Sequence, residues 1–218
     1  RTSALVYIPN DIPEPKANTK VTYQRAVERA IIELATVLNG RVMVLFTSYA
    51  QLRETASAIA PRLALGDIRL YDQVTGGSRE SLVDGFRSTE RAVLLGTRSF
   101  WQGVDIPGDD LSALVITRLP FAVPSEPVFA ARSETYQDSF GDFAVPDAVL
   151  RFRQGFGRLI RTRTDRGIVA VLDSRIIGKG YGSAFLDSLP DCEVRIGPLE
   201  GLAHTAESWL VKPIGNQE

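Results

Sequence analysis

Residues 41–52, RVMVLFTSYAQL, combine two patterns of apolar residues. Positions 41–46 form a short and mostly apolar run, which is typical of a buried strand. Ser48 then stands three residues before Gln51, which is the spacing of a capping box at the start of a helix. The apolar face of that helix has three members, Leu52, Ala56 and Ile59. The segment therefore predicts a strand that leads directly into a helix.

The same alternation extends outward in both directions from this segment. Short apolar runs recur at residues 4–8, 68–71, 91–95, 113–117 and 167–172. A helix that ends at Asn39-Gly40 is predicted from apolar positions at helical spacing, namely Val27, Ala30, Ile31, Leu34, Ala35 and Leu38. The pattern predicts the α/β class, with a mostly parallel sheet and helices on both faces. Ligands of such sheets bind at the carboxyl ends of the strands, so candidate site residues are expected there.

The composition limits the classes of function. The chain has 218 residues, of which 44% are hydrophobic and 23% are charged, with a formal net charge of -1, as in an ordinary globular domain. This balance disfavours a generally basic, nucleic-acid-coating protein, so anion binding must depend on local clusters. Arginine, whose planar fork matches phosphate, dominates the 25 basic residues. The few lysines are Lys16, Lys20, Lys179 and Lys212.

Single cysteine and histidine residues exclude several kinds of site. Cys192 alone forms no internal disulfide and no cysteine-rich zinc or iron–sulfur site, and it favours a reducing compartment. A catalytic triad would depend on His204 alone, and we expect no catalytic role for it. No apolar run approaches the roughly 20 residues that cross a bilayer, and no signal-peptide pattern is present, so we expect a cytoplasmic protein. The chain begins at Arg1 and is expected to be a fragment of a longer one.

Residues 154–167, QGFGRLIRTRTDRG, concentrate arginine and glycine in an otherwise helical pattern. A helix is predicted from residue 146 toward residue 163, and it places Gln154, Arg158 and Arg161 on one face. From the spacing alone, the simplest interpretation of this face is a solvated basic surface with structural ion pairs. The alternative is a site that binds an anion.

Motifs in this and other segments resemble those of a known enzyme family. QGFGRLIR at 154–161 looks like motif VI of superfamily 2 helicases, and the following TRTDRG resembles the version in the DinG/XPD family. GTRSFWQGVDIPG at 96–108 is similar to motif V of that family, and RLPFAVPSEP at 118–127 resembles its K-L-P-F segment, with Arg118 where lysine is usual. The resemblance extends from YIPNDIPEP at the start to DSRIIGKGYG at 173–182. It implies the second RecA-like domain of a helicase.

The resemblance implies that ATP lies between this domain and a first RecA-like domain. Arg161 and Arg158 then become candidate arginine fingers, with Gln154 supporting the phosphate or the attacking water. Further nucleotide-binding candidates are Gly103, Asp105 and Gly157. The alternative interpretation of Gly103 and Asp105, which lie in the segment similar to motif V, is a structural turn.

Single-stranded DNA is the second ligand that the resemblance implies. The DNA-binding candidates are Thr47, Ser48, Gln73, Thr97, Ser99 and Trp101. The hydroxyl groups are suited to phosphate contacts that do not depend on sequence. Trp101 is a candidate for stacking on a base, although an aromatic residue at this place is more often part of the core. Asp173 and Arg175 match a D-x-R motif of the family, and we expect a structural ion pair there.

A helicase motor also needs parts that this sequence lacks. There is no G-x-x-x-x-G-K-[ST] loop, and Gly178-Lys179 is interpreted as a turn. The first RecA-like domain, which would make most of the contacts to ATP and Mg²⁺, is therefore expected elsewhere in a longer chain. The resemblance also implies that an iron–sulfur cluster is possible in that first domain, as in many members of the family. We expect residues 1–218 to be the second motor domain of an ATP-dependent DNA helicase that moves 5′ to 3′, and to be inactive alone.

Other functions stay open at this point. The first alternative is a nucleic-acid-binding RecA-like module without motor activity, whose binding would depend steeply on salt but not on nucleotide. The second is part of an exonuclease-fused relative without helicase activity. A small-molecule enzyme with a Rossmann-like sheet is disfavoured, because PNDIP follows the first strand where a G-x-G-x-x-G turn is expected.

Overall fold

The computed structural model describes residues 4–101, 106, 110–122, 135–157 and 166–211, with only the backbone at Arg98 and Trp101. Its centre is a sheet in which every paired strand is parallel. The strands are β1 (Ala4–Pro9), β2 (Val42–Leu45), β3 (Arg69–Asp72), β4 (Ala92–Gly96), β5 (Ala113–Ile116), β6 (Gly167–Val171) and β7 (Glu193–Gly197). Across the sheet their order is β3-β4-β2-β5-β6-β1-β7.

Helices cover both faces of this sheet. They are α1 (Lys20–Val37), α2 (Tyr49–Leu65), α3 (Arg79–Ser88), α4 (Arg98–Trp101), α5 (Val145–Phe156), α6 (Arg175–Gly178), α7 (Gly182–Asp187) and α8 (Gly201–Val211). Side chains of α1, α2 and α8 share one apolar cluster, and those of α3, α5 and α7 share another. Alternate strand residues enter the two clusters, as Val44 and Leu45 do, because successive side chains of a strand point to opposite faces. The predicted α/β fold class is confirmed.

Helix α1 ends where the sequence predicts, at Asn39-Gly40. Asn39 has φ 54° and Gly40 has φ 83°, in the left-handed region that favours glycine. A Cβ atom at Gly40 would lie 2.4 Å from the backbone nitrogen of Ala92. The chain turns tightly against the start of β4 there, and only glycine fits.

Strand β7 was missed by the sequence analysis. It pairs with β1 alone and lies at the edge of the sheet. Its side chains are only half-buried, and Val194 and Ile196 are exposed. An edge strand of this kind lacks the continuous apolar run that identifies a buried strand.

Helix α5 is preceded by a π-helix at Ser139–Ala144. Pro146 lies in the first turn of α5, as predicted. The structure describes α5 to Phe156, and the rest of the predicted helix lies outside the described residues. Across the described ranges, no helix is both long enough and apolar enough to span a membrane.

Candidate nucleic-acid and nucleotide interface

The carboxyl ends of β3, β4 and β2 lie side by side. Asp72 of β3 pairs with Leu95 of β4, and Gly96 of β4 pairs with Leu45 of β2. The backbone nitrogen of Phe46 also donates to the carbonyl of Gly96 at 2.9 Å. Neighbouring strands of a sheet are only about 5 Å apart, so residues that follow these strands share one surface.

Gln73, Thr97 and Ser99 form a hydrogen-bonded cluster on this surface. Gln73 Oε1 accepts bonds from the backbone nitrogen and the Oγ1 hydroxyl of Thr97, both at 2.7 Å. Gln73 Nε2 donates to Ser99 Oγ at 3.1 Å. Ser99 is exposed. Because the serine oxygen accepts from the amide, its hydroxyl hydrogen points elsewhere and is suited to an acceptor such as a phosphate oxygen.

A turn that is built on Asp72 positions Gln73. Asp72 is 3% exposed, and its Oδ1 accepts from the backbone nitrogens of Val74 at 2.6 Å and Thr75 at 2.9 Å. Aspartate commonly stabilises turns by such bonds to the backbone of following residues. The turn fixes the chain immediately after β3, and so fixes where the Gln73 amide lies.

Thr47 and Ser48 follow β2 on the same surface. Ser48 Oγ accepts from the backbone nitrogen of Gln51 at 3.3 Å and caps α2, as predicted. Gln51 does not complete the capping box, because its Oε1, which would accept from the backbone nitrogen of Ser48, has no hydrogen-bond partner among the described residues. Its Nε2 donates to Gln24 Oε1 at 3.3 Å. Thr47 is half-buried. Ser48 is therefore a helix cap in addition to a candidate DNA contact.

Arg79 also reaches this surface and was not selected from the sequence. It is the first residue of α3, whose cap is Ser78, and its Nη1 donates to the carbonyl of Ser99 at 3.4 Å. Its Nη2 bonds Glu80 at 3.2 Å. The sequence did contain a signal for the start of this helix: Ser78 follows two glycines and stands three residues before Ser81, which is the spacing of a helix N-cap.

A different set of polar groups occupies the edge beyond β6. Asp173 is fully buried and accepts from Arg175 Nε at 2.9 Å and Nη2 at 2.6 Å. Asp173 also accepts from the backbone nitrogen of Leu119 at 2.8 Å. Burial alone would lower the pKa of Arg175, but its bonds to Asp173 outweigh this and raise it. The predicted ion pair is confirmed, and it ties the chain after β5 to the chain after β6.

Tyr23 lies between these two regions. Its hydroxyl donates to the carbonyl of Thr117, directly after β5. The guanidinium of Arg118 lies 5.2 Å from the centre of the Tyr23 ring, a cation–π distance. Burial of the hydroxyl is the main reason that the pKa of Tyr23 is raised.

The nucleotide candidates are only partly described. Gln154 lies on α5, and its Oε1 is buried without a hydrogen-bond partner in the described part of the chain. Gly157 follows α5, and among the described residues the nearest atom to a Cβ placed there is the Arg153 carbonyl oxygen, at 3.4 Å. The remaining candidates Arg158, Arg161, Gly103 and Asp105 lie outside the described residues, as does the side chain of Trp101.

Other features lie away from this edge. A cavity of about 650 Å³ opens at the amino ends of the strands, near Arg91 and Ser112, where no chemistry is expected. His204 is exposed on α8, and burial raises the pKa of the half-buried Cys192 thiol. Within the described ranges, no group of three or more histidine, cysteine, aspartate or glutamate side chains is placed to hold a metal ion.

The family profile of the helicase C-terminal domain matches residues 31–192. The chain belongs to this family. The Bacillus subtilis protein named 3′-5′ exonuclease DinG is 38% identical to it over 87% of this chain. The Escherichia coli ATP-dependent DNA helicase YoaA is 37% identical over 86% of it. The chain spans only 21% and 29% of those two relatives.

Solved structures show the same fold. An XPD helicase superposes on 89% of the chain with a TM-score of 0.64 at 20% identity. Yeast Dbp5 bound to RNA and ADP BeF3 superposes on 95% of it with a TM-score of 0.57 at 14% identity. The resemblance to DinG and XPD proteins and the RecA-like fold, both expected from the motifs, are therefore confirmed for this helicase C-terminal domain.

Proposed function

We propose that the chain is the second RecA-like motor domain of an ATP-dependent DNA helicase of DinG/XPD type. The observation that carries the proposal is the polar surface at the carboxyl ends of β3, β4 and β2, in a chain that belongs to the helicase C-terminal family. Its partners are then a first RecA-like domain of the same protein and single-stranded DNA. The protein would act in the cytoplasm.

On the DNA side, the proposal assigns phosphate contacts to hydroxyl and backbone groups of Thr47, Ser48, Thr97 and Ser99. Gln73 is a positioning residue, because its amide already bonds Thr97 and Ser99. Such contacts bind any sequence, since phosphates carry no base information. This suits a motor that must move along a strand regardless of its sequence.

On the nucleotide side, the proposal assigns arginine fingers to Arg161 and Arg158. An arginine beside a transferring phosphoryl group stabilises its charge and accelerates the reaction by about 10³ to 10⁵. Gln154 fits the same site, because its Oε1 is a buried acceptor that lacks a described partner and is suited to a water or an arginine. Gly103, Asp105 and Gly157 complete the proposed nucleotide contacts. Bound ATP with Mg²⁺ supplies the phosphoryl group whose transfer to water drives movement.

Arg161→Ala in the full-length protein tests the catalytic part of the proposal. We expect ATP hydrolysis stimulated by single-stranded DNA to fall at least a hundredfold, while ATP still binds. Arg62→Ala is the control, because Arg62 is an exposed arginine at the far end of α2. An unchanged rate in Arg161→Ala would mean that the arginine segment is a structural or DNA-facing surface. Residues 1–218 alone are expected not to hydrolyse ATP.

A second candidate is a part of an exonuclease-fused protein without helicase activity. Two relatives, from B. subtilis and Staphylococcus epidermidis, are named 3′-5′ exonuclease DinG, which favours this candidate. Measuring both the unwinding and the degradation of a tailed duplex by the full-length protein distinguishes this candidate from the helicase proposal. The helicase proposal expects unwinding that requires ATP and Arg161, whereas the second candidate expects degradation that is insensitive to Arg161→Ala.

A further inference from the structure

The ring of Phe100 packs directly on Gly96, at the point where β4 leads into α4. A Cβ atom placed on Gly96 would overlap Phe100 Cγ and would lie 2.7 Å from its Cβ and 2.8 Å from its Cδ2. Real Cβ atoms essentially never approach another atom to less than 3.0 Å. The two residues therefore fit together only because residue 96 is glycine.

The ring occupies the place that a side chain at position 96 would take. Side chains alternate between the two faces of a strand, so position 96 points to the same face as Leu94. Leu94 and Phe100 both belong to the apolar cluster that α3, α5 and α7 share with the sheet, and Phe100 is fully buried. Helix α4 also contacts α5, β4 and β2. The buried ring thus ties the single turn of α4 to the core.

The same turn carries two hydroxyl groups of the proposed DNA surface. Thr97 and Ser99 lie between Gly96 and Phe100 in the sequence, and the backbone nitrogen of Phe100 donates to the Thr97 carbonyl at 2.8 Å. Ser99 is exposed, although the next residue is fully buried. Gln73, which follows the neighbouring strand β3, bonds both hydroxyl groups. The hydroxyls are therefore held from two sides, by the Gln73 amide and by the Gly96–Phe100 contact.

A side chain at position 96 could not be accommodated by rotation of the ring alone. Two of the three nearest atoms, Cβ and Cγ of Phe100, lie close to the backbone of that residue. Gly96 is not among the glycines with positive φ, so steric contact and not backbone conformation requires glycine here. Extra atoms in a packed core force the backbone to shift. The turn of α4 would have to move, and Ser99 would move with it.

We infer that Gly96 and Phe100 are positioning residues for binding of the single strand. Both are buried, so they act through Thr97 and Ser99, whose hydroxyl groups they hold in place. Neither was a candidate site residue in the sequence analysis. The inference rests on the proposed function, because it takes single-stranded DNA as the ligand of this surface.

Binding of oligo(dT) by the full-length protein tests this inference. Gly96→Ala displaces the turn, and Phe100→Leu keeps an apolar side chain but loosens its fit. The matched controls lie on α7, in the part of the chain after β6. Phe185→Leu makes the same change in an equally buried ring of the same apolar cluster. Gly182→Ala adds a Cβ atom that would overlap the Ile176 carbonyl oxygen. The midpoint of urea unfolding is measured for all four variants.

We expect Gly96→Ala to lower the affinity for oligo(dT) about tenfold and Phe100→Leu to lower it about fivefold. The two controls should lower the midpoint of urea unfolding by a comparable amount, because they disturb the same core. Their affinity for oligo(dT) should change less than about twofold. A role in packing alone would affect variants and controls alike, so affinity is the measurement that distinguishes positioning from packing.

A double variant tests whether the contact acts through the hydrogen-bonded cluster. In the Gln73→Ala background, Gly96→Ala should lower affinity less than about twofold further, since Thr97 and Ser99 have already lost their fixed positions. Effects of residues that share one network do not add, whereas those of independent residues do. A further loss of about tenfold would mean that Gly96 acts by another route, and it would overturn the inference.

A second result would also overturn it, namely affinity that Gln73→Ala lowers but that Gly96→Ala and Phe100→Leu change no more than the controls do. The DNA surface would then keep its geometry without the Gly96–Phe100 contact. Should Gly96→Ala not fold, Phe100→Leu and its control decide. Failure of the proposed function is distinct, because the wild-type protein would not bind a single strand, or would bind one with an affinity that Gln73→Ala leaves unchanged. In either case the inference falls with the proposed function.

Discussion

The two ends of the carboxyl edge carry similar polar residues and use them differently. At the β6 end, both carboxylate oxygens of Asp173 accept hydrogen bonds from Arg175 or from the Leu119 backbone, and the carboxylate is fully buried. At the β3 and β4 end, Gln73 organises Thr97 and Ser99 in a cluster whose outer member is exposed. The first arrangement holds the fold together, and the second presents groups to a ligand.

Motif membership therefore does not distinguish the two roles, whereas burial and hydrogen-bond satisfaction do. Asp173, Arg175 and Gln73 all lie in segments that resemble helicase motifs. Polar groups that are buried and fully paired leave nothing for a ligand, while partly exposed hydroxyls keep bonding capacity. Three substitutions sharpen this contrast.

Asp173→Ala is expected to have the largest effect on stability. It leaves the Arg175 guanidinium and the Leu119 backbone nitrogen without their partner, so the free energy of unfolding should fall by about 3 to 5 kcal/mol. Glu193→Ala is the matched control, because Glu193 also pairs with an arginine two residues later at 2.6 Å, but on the exposed edge strand. There the loss should be under about 1 kcal/mol. Urea unfolding of both variants measures the difference, and equal losses would contradict the assigned roles.

Tyr23→Phe is expected to have an intermediate effect that depends on pH. Loss of the bond to the Thr117 carbonyl should cost about 1 kcal/mol near pH 7. Because the folded-state pKa of Tyr23 is raised above the ordinary value of about 10, the contribution of its protonated hydroxyl is fully present below pH 10 and is lost as pH rises further. Unfolding measured from pH 7 to 11 should show a steeper decline for wild type than for Tyr23→Phe. Parallel curves would mean that another group titrates.

Gln73→Ala is expected to have the smallest effect on stability and a clear effect on binding. Removing the amide frees Thr97 and Ser99 from their fixed positions, so affinity for single-stranded DNA should fall about tenfold, equivalent to about 1.4 kcal/mol. Ser99→Ala removes one hydroxyl and should weaken binding about threefold. Ser88→Ala, at the opposite end of α3, is the control and should leave affinity unchanged. Fluorescence anisotropy with oligo(dT) measures all three, and a fall in stability without a fall in affinity would assign Gln73 to the fold.

Most of the fold could be predicted from local pattern. Runs such as ALVYI and GIVAVL are buried strands, and the apolar face of α1 is buried at Val27, Ile31 and Leu34. Strand β7 was not predicted, because Val194 and Ile196 are exposed and alternate with polar residues, so the strand has no continuous apolar run. The arginine segment stays a prediction, since Arg158 and Arg161 lie outside the described residues.

By itself, the sequence determined the family, the strands and helices of the core, and which residues follow each strand, because periodicity and motif chemistry are local properties of the chain. Only the tertiary structure decided which of those residues meet. The strand order β3-β4-β2-β5-β6-β1-β7 places Gln73 beside Thr97, and Asp173 beside Leu119, across long separations in sequence. The tertiary structure also decided the partner of the Gln51 side chain. Its spacing from Ser48 predicts a capping box, but its amide bonds Gln24 on another helix. Neighbouring strands are selected by packing of the whole core, which no local pattern encodes.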